Sequence, residues 1–133
     1  MWDDSQSDAA RIYRTIEASA AEQEPEKLRR KFHSTSSEAV RLAVALRGFF
    51  LTDDGEEYAP WLEEHADSAG EVLVELGDRE KLTEFERRGW LDEKLTEQLL
   101  RLAIEQRRSG MTVWLLRLKE QKYGFPDRDF QLW

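Results

Sequence analysis

Apolar residues recur along this chain at intervals of three and four positions. This spacing places apolar side chains on one face of a helix, whereas a half-buried strand needs strict alternation. The clearest example comprises four residues at i, i+3, i+4 and i+7: Tyr58, Trp61, Leu62 and His65. The pattern predicts an all-α protein in which Trp61 belongs to the core and His65 to a helix interface.

Two glycines bracket one short apolar run, "GDREKLTEFERRG", at residues 77–89. Glycine within a helix costs about 1 kcal/mol relative to alanine, so Gly77 and Gly89 are predicted to mark the two ends of a single short helix. Asp78 is suited to cap that helix, and Asp92 to cap the next one.

Further boundaries follow from proline, glycine and capping residues. A first helix is predicted from residue 8 to 21, and Pro25 suits the first position of a second helix. Thr35 and Glu38 have the spacing of a capping box, and Gly48 is predicted to end the helix that they begin.

Three later boundaries rest on the same kind of evidence. Asp54 with Glu57 is predicted to cap the helix that carries Trp61. Ser109 and Gly110 are predicted to form the turn before the last helix. That helix is predicted to stop at "YGFP", residues 123–126, because glycine favours the left-handed end position and proline forbids continuation.

The predicted helices come in pairs within one domain, which spans residues 1–133. Two helices of ten to fifteen residues cannot bury both apolar faces alone, so the pairs are predicted to stack and share a core. An irregular helical bundle is the alternative. The predicted segments are acidic N-terminal helices at 1–35, a divergent pair at 36–68, further pairs at 69–91 and 92–124, and a cap or tail at 125–133.

Part of this pattern resembles a degenerate ankyrin repeat. The run "GDREKLTEFERRG" resembles the second half of such a repeat, and "LAIEQRRSGMTVWLL" is similar to the helix, turn, helix core of the next one. Leu73 and Ala103 lie thirty positions apart, as do Gly77 and Arg107. However, the "TPLHxA" signature is absent, the offset is thirty and not thirty-three, and an arginine stands at the second turn glycine.

The resemblance covers roughly residues 36–124 and is best over 69–119. It implies an ankyrin-like α-solenoid that recognises a protein or peptide through its connector tips and first-helix surfaces, which is an inference from fold alone. The implied partner-binding residues are Trp90, Asp92, Glu93, Lys94, Glu71, Glu75, Arg101 and Arg108. Trp90 is predicted to be either an exposed binding anchor or a packed staple between units.

The net charge of the chain indicates which classes of partner it can bind. The chain carries 20 Lys and Arg against 28 Asp and Glu, a net charge of -8, and residues 1–68 hold -7 of it. Such a surface repels phosphate backbones, so no nucleic acid partner is predicted. A structural homo-oligomer, or an acidic mimic of nucleic acid that binds a basic protein, are the alternatives to a recognition module.

The chain offers little for catalysis. It contains no cysteine and only two histidines, His33 and His65. The serines at 34–37 lack the glycine-rich turn and lysine of a phosphate loop, so helix capping explains them better. No catalytic, cofactor-binding or metal-binding residue is predicted, and the chain is predicted not to be an enzyme. It has no signal sequence or membrane-length apolar run, so we expect no membrane association and a cytoplasmic protein.

Two arginine pairs and the C-terminal tail each have two interpretations. Arg87 with Arg88, and Arg107 with Arg108, lie at the ends of successive helices, where cations complement the helix dipole. The alternative is a basic edge for an acidic peptide. In the tail, the aromatic residues are predicted to fold over the last helix pair as a cap, or else to form a linear docking motif.

Overall fold

The computed structural model describes residues 8–19, 24–51 and 55–123, and all the regular structure in these ranges is helical, without strands. The all-α prediction is therefore confirmed for this part of the chain. The elements are α1 (Asp8–Ala18), α2 (Pro25–Ser34), α3 (Glu38–Leu51), a 3-10 helix (Gly55–Tyr58), α4 (Ala59–Glu64), α5 (Ala66–Leu76), α6 (Arg79–Arg87), α7 (Glu93–Glu105) and α8 (Ser109–Lys122).

Helix α3 is the centre of the first half of the fold. It packs against α1, α2, α4, α5 and the 3-10 helix. Its residues Ala43, Val44, Ala45 and Leu46 are all fully buried. Because four consecutive helical residues point in all directions, their burial means that α3 is covered on every side. Helix α5 then connects this half to the rest, since it contacts α1, α6 and α7, and α8 packs on α7.

Gly48 lies inside α3 and does not end it, so this predicted boundary is wrong. The helix continues to Leu51. A Cβ atom at position 48 would lie 2.7 Å from Cζ of Tyr58, whose side chain is buried. The glycine is therefore used for close packing between α3 and the 3-10 helix, a role that the sequence pattern does not distinguish from helix termination.

The N-terminal caps agree with the predictions except at α3. Asp78 Oδ1 accepts a hydrogen bond from the Lys81 amide at 3.2 Å, and Asp92 Oδ1 accepts one from the Leu95 amide at 2.8 Å. Pro25 begins α2 as predicted.

The predicted capping box at the start of α3 is wrong, because α3 begins at Glu38 and its cap is Ser37. Ser37 Oγ accepts from the Val40 amide at 3.3 Å. Thr35 Oγ1 instead accepts from the amide of Ser37 at 3.1 Å, which forms a local turn before the helix.

Both glycines of residues 77–89 mark helix ends, as predicted, and each takes the left-handed conformation. Gly77 has φ 72° and ends α5, and Gly89 has φ 79° and follows α6. At each turn, the amide after the glycine reaches back to a carbonyl five residues earlier, with Trp90 N donating to Phe85 O at 3.0 Å. This is the bonding of a Schellman motif, which satisfies the last carbonyls of the helix.

The turn between α7 and α8 is the same motif with an arginine in place of glycine. Arg107 has φ 56°, and Arg108 N donates to Ala103 O at 2.9 Å. The predicted turn at Ser109 and Gly110 is therefore displaced, because these two residues begin α8.

The segment around Trp61 was predicted as one helix, and it forms a 3-10 helix followed directly by α4. The 3-10 helix and α4 precede His65, where φ of -114° interrupts the helix before α5 starts at Ala66. The predicted cap at Asp54 and the predicted stop and cap at 124–133 lie outside the described residues. In the described ranges, no helix has the length and apolar character needed to cross a membrane.

Candidate functional site

A cleft opens where α1, α3 and α5 meet next to the joint between α4 and α5. It encloses about 270 Å³. No lysine or arginine is among the residues that line it. We call it the acidic cleft because four carboxylate side chains line it: Asp8, Glu38, Glu71 and Glu75.

The helical repeat brings these carboxylates together. On α5, Ser68, Glu71, Val72 and Glu75 follow the i, i+3, i+4, i+7 spacing and so share one face. Helices α1 and α3 contribute the acidic residues of their first turns, where a carboxylate also complements the helix dipole. The cleft therefore combines an apolar floor with a carboxylate rim.

Asp8 and Glu71 each have an interaction that holds the carboxylate in place, and Glu75 is buried. Asp8 pairs with Arg11 within the first turn of α1. Glu71 Oε2 accepts a hydrogen bond from Gln98 Nε2 on α7 at 2.8 Å. Glu75 is only 6% exposed, which is unusual for a carboxylate. The negative charge of the cleft is therefore held on packed helices and not on mobile loops.

An aromatic pair forms one wall of the acidic cleft. The rings of Trp61 and His65 are stacked with centroids 3.9 Å apart. His65 Nδ1 lies 2.8 Å from the carbonyl oxygen of Trp61, and Nε2 lies 3.3 Å from Oε1 of Glu38. Both ring nitrogens thus face acceptor oxygens, so the protonated imidazolium form can donate to both.

Two of the sequence-predicted residues, Glu71 and Glu75, lie in the acidic cleft. Their i, i+4 spacing was a local signal that the sequence contained. Asp8, Glu38 and the ring of His65 were not predicted as partner-binding residues. They come from different elements and meet only through packing, so no local spacing points to them.

Trp90 is half-buried in the connector between α6 and α7. Its ring lies 4.9 Å from that of Phe85 and 5.7 Å from that of Phe49, between centroids. The guanidinium of Arg88 lies 5.4 Å from the Trp90 ring. These contacts are those of the packed staple, the second of the two predicted roles for this side chain.

The other predicted residues are dispersed. Asp92 is occupied as the cap of α7, beside the exposed Glu93 and Lys94. Arg101 is exposed on α7, and its nearest carboxylate oxygen, on Glu97, is 3.9 Å away. Arg108 lies at the Gly77 turn, away from the Trp90 connector. The structure therefore does not gather the eight predicted residues into one surface.

The two arginine pairs also have different surroundings. Arg87 and Arg88 both bind Glu84, with Nε to carboxylate distances of 2.9 and 2.6 Å, and Arg88 also binds Glu56 at 3.0 Å. These hydrogen bonds, first from Arg87 and then from Arg88, lower the pKa of Glu84 to about 2. The predicted four-arginine edge is not formed, because Arg107 and Arg108 are at the opposite end of the helices.

Among the described residues, no group of three His, Cys, Asp or Glu side chains is arranged to hold a metal ion. The carboxylates of the acidic cleft are thus spread around its rim and do not converge on one point.

Comparison of the chain with protein-family models finds no matching family, and no curated protein or solved structure matches it. The ankyrin-like resemblance accordingly stays a prediction.

Proposed function

We propose that this protein is a non-catalytic recognition module whose acidic cleft binds a lysine or arginine side chain presented by a partner protein. The observation that carries the proposal is the presence of four carboxylate residues in the lining of one cleft that contains no Lys or Arg. A cation that enters such a cleft gains charge-assisted hydrogen bonds, and the complementary potential steers a basic partner toward it.

The aromatic wall supports the same ligand class. The alkyl stem of a lysine or arginine packs against apolar surface while its head group reaches a carboxylate. Val72, Leu42 and the Trp61 ring supply that surface, and Glu38 and Glu71 supply acceptors at the rim. The net charge of -8 further favours association with a basic protein segment.

A selection from displayed random peptides on the immobilised protein tests this proposal. We expect enriched peptides to contain lysine or arginine, and the E38Q/E71Q double variant to bind them about tenfold more weakly. The matched control is E63Q/E105Q, which removes two exposed carboxylates outside the cleft. Enrichment of peptides without basic residues, or equal weakening by both double variants, would contradict the cleft as the recognition site.

The proposed architecture is a short stack of helical pairs of the ankyrin-like kind, in which α5–α6 is one unit and α7–α8 the next. The repeated left-handed turn supports it, because Gly77 and Arg107 occupy equivalent positions thirty residues apart. A Cβ at Gly70 would lie 3.1 Å from Leu99 Cδ1, and one at Gly77 would lie 3.6 Å from Arg108 Nη1. These two contacts support an arrangement in which α5 and α7 run side by side in the same direction.

A structural homo-oligomer is the second candidate, because three large apolar side chains are exposed on the last two helices. Ile104 is 56% exposed, Val113 47% and Leu116 39%. Val113 and Leu116 are spaced i, i+3 and so share one face of α8, and an exposed apolar face of this kind is one that a second copy can cover. Sedimentation velocity of the wild type and of V113K/L116K tests this, since a dimer that the variant converts to monomer would favour the oligomer.

A further inference from the structure

A second cavity lies at the end of the helices where α5 turns into α6 and α7 turns into α8. It encloses about 270 Å³, and no carboxylate lines it. We call it the basic pocket. Its lining residues are Gly77, Arg79, Arg108, Ser109, Gly110 and Met111.

The arginines of this pocket differ from Arg29 and Arg88, because they have no acidic partner among the described residues. Arg29 and Arg88 each bind carboxylates through two or more hydrogen bonds. In residues 8–19, 24–51 and 55–123, neither Arg79 nor Arg108 forms an ion pair with an acidic side chain, although the chain has more acidic than basic residues. Arg108 Nε is also shielded from solvent without a hydrogen-bond acceptor. Two guanidinium groups thus line one cavity without an acidic partner in the described ranges.

The start of α8 adds backbone donors to the same cavity. The first amides of a helix have no acceptor within the helix, and the helix dipole makes this end positive. Arg108 precedes α8 and its side chain provides no capping acceptor, and the first turn contains no acidic residue. Ser109, Gly110 and Met111 belong to this first turn and also line the basic pocket. Their amide donors and the two arginines therefore adjoin the same cavity.

The turns explain why the arginines meet here. Gly77 has no side chain, so the guanidinium of Arg108 lies over it, with Nη1 3.6 Å from where a Cβ would be. Arg107 takes the left-handed conformation that ends α7, and Arg108 is the residue directly before α8. Arg79 is the first residue of α6, directly after the Gly77 turn.

We propose that the basic pocket binds a single phosphate group. Two planar guanidinium groups and a set of helix amides offer more donors than the two oxygens of a carboxylate can accept, whereas a phosphate has enough oxygens for both sets. Helix N-termini also bind phosphate readily. The overall negative charge disfavours an extended polyanion, so the pocket takes an isolated phosphate, free or carried by a phosphorylated side chain. This inference does not rest on the acidic cleft.

Titration of the ¹⁵N-labelled protein with inorganic phosphate, at constant ionic strength against chloride, tests the proposal. We expect saturable shifts of the Ser109, Gly110 and Met111 amides. R79A and R108A are expected to weaken binding about tenfold each, because each removes one guanidinium. R117A is the matched control: it removes an exposed arginine further along α8, outside the pocket, and is expected to leave binding unchanged.

The variant R108K keeps the positive charge but lacks the planar guanidinium group, so we expect it to bind phosphate more weakly. An unchanged circular dichroism spectrum would show that the weaker binding is not caused by a loss of folding. A phosphoserine peptide and its unphosphorylated match then separate the two sources of phosphate. Binding by the phosphopeptide alone assigns a phosphorylated partner, and equal binding by inorganic phosphate assigns the free ion. Acetate binding as tightly as phosphate, or shifts that R117A reduces as much as R108A does, would overturn the proposal.

Discussion

The ring of Tyr58 lies directly on the backbone of Gly48, so that a Cβ atom at position 48 would be 2.7 Å from Cζ and 3.0 Å from the hydroxyl oxygen. Phe32 contacts the same tyrosine edge-on, with centroids 5.1 Å apart. Helices α2 and α3 and the 3-10 helix therefore pack together at Gly48, which has no side chain. Close packing of this kind leaves no room for an added methyl group.

Substitution of Gly48 by alanine is expected to destabilise the protein by about 2 kcal/mol, because the new methyl group must displace the buried Tyr58 ring. G110A is the matched control. Gly110 is also helical, but nothing lies within 4 Å of its Cβ position, so we expect a gain of about 0.5 kcal/mol. Urea denaturation measures both. Equal gains in the two variants would show that Tyr58 moves aside at no cost.

Substitutions at the three left-handed turn residues are expected to change stability in opposite directions, depending on whether glycine is removed or introduced. G77A and G89A are each expected to cost about 1 kcal/mol, because alanine is strained at φ values of 72° and 79°. R107G is expected to gain about 0.5 kcal/mol, because glycine relieves the same strain at φ 56° but loses more entropy on folding. Denaturant midpoints of the three variants provide the measurement. A loss in R107G would mean that the Arg107 side chain stabilises the turn.

Local signals predicted the second half of the fold better than the first. Gly77, Asp78, Gly89 and Asp92 each have one clear local role, and the structure confirms all four. Gly48 was misassigned because a glycine required by close approach of a distant ring has the same local appearance as one that ends a helix. The contact with Tyr58 joins residues ten positions apart in two different helices, so only the packed structure distinguishes the two roles.

The candidate sites were predictable only where their residues share one helix. Glu71 and Glu75 are one turn apart on α5, and both were predicted as partner-binding residues. Asp8 and Glu38 join them only because α1 and α3 pack on α5. Arg108 was included, yet Arg79 was not, since the Gly77 turn that brings the two into one cavity leaves no mark in the spacing of the charges.

The pairing of Glu84 with Arg87 and Arg88 predicts an acid-dependent part of the stability. These hydrogen bonds lower the pKa of Glu84 from 4.5 to about 2. Between these pH values the unfolded chain binds a proton that the folded chain does not, so this contribution is present above pH 4.5 and is lost as the pH falls to about 2. We expect the loss of stability between pH 4.5 and 2 to be about 1 kcal/mol smaller in E84Q than in the wild type. The difference is this small because solvent screens the partly exposed ion pairs.

Denaturation of the wild type and E84Q across this pH range measures the effect. Direct titration of the Glu84 carboxyl carbon by NMR provides a second measurement, in which R88A is expected to raise the pKa of Glu84 by removing one of its two partners. An identical pH dependence of stability in wild type and E84Q would mean that these ion pairs contribute nothing to folding.

Trp90 is expected to act through stability and not through binding. W90A removes a half-buried ring that contacts Phe85 and Phe49, and we expect a loss of about 2 kcal/mol, below the cost for a fully buried tryptophan. W90F is expected to retain most of the stability, because a smaller ring still packs edge-on against Phe85. Thermal denaturation measures both variants, and peptides that bind the acidic cleft are expected to bind W90F as they bind the wild type. A W90A variant with unchanged stability and lost peptide binding would make Trp90 the binding anchor that its connector position first indicated.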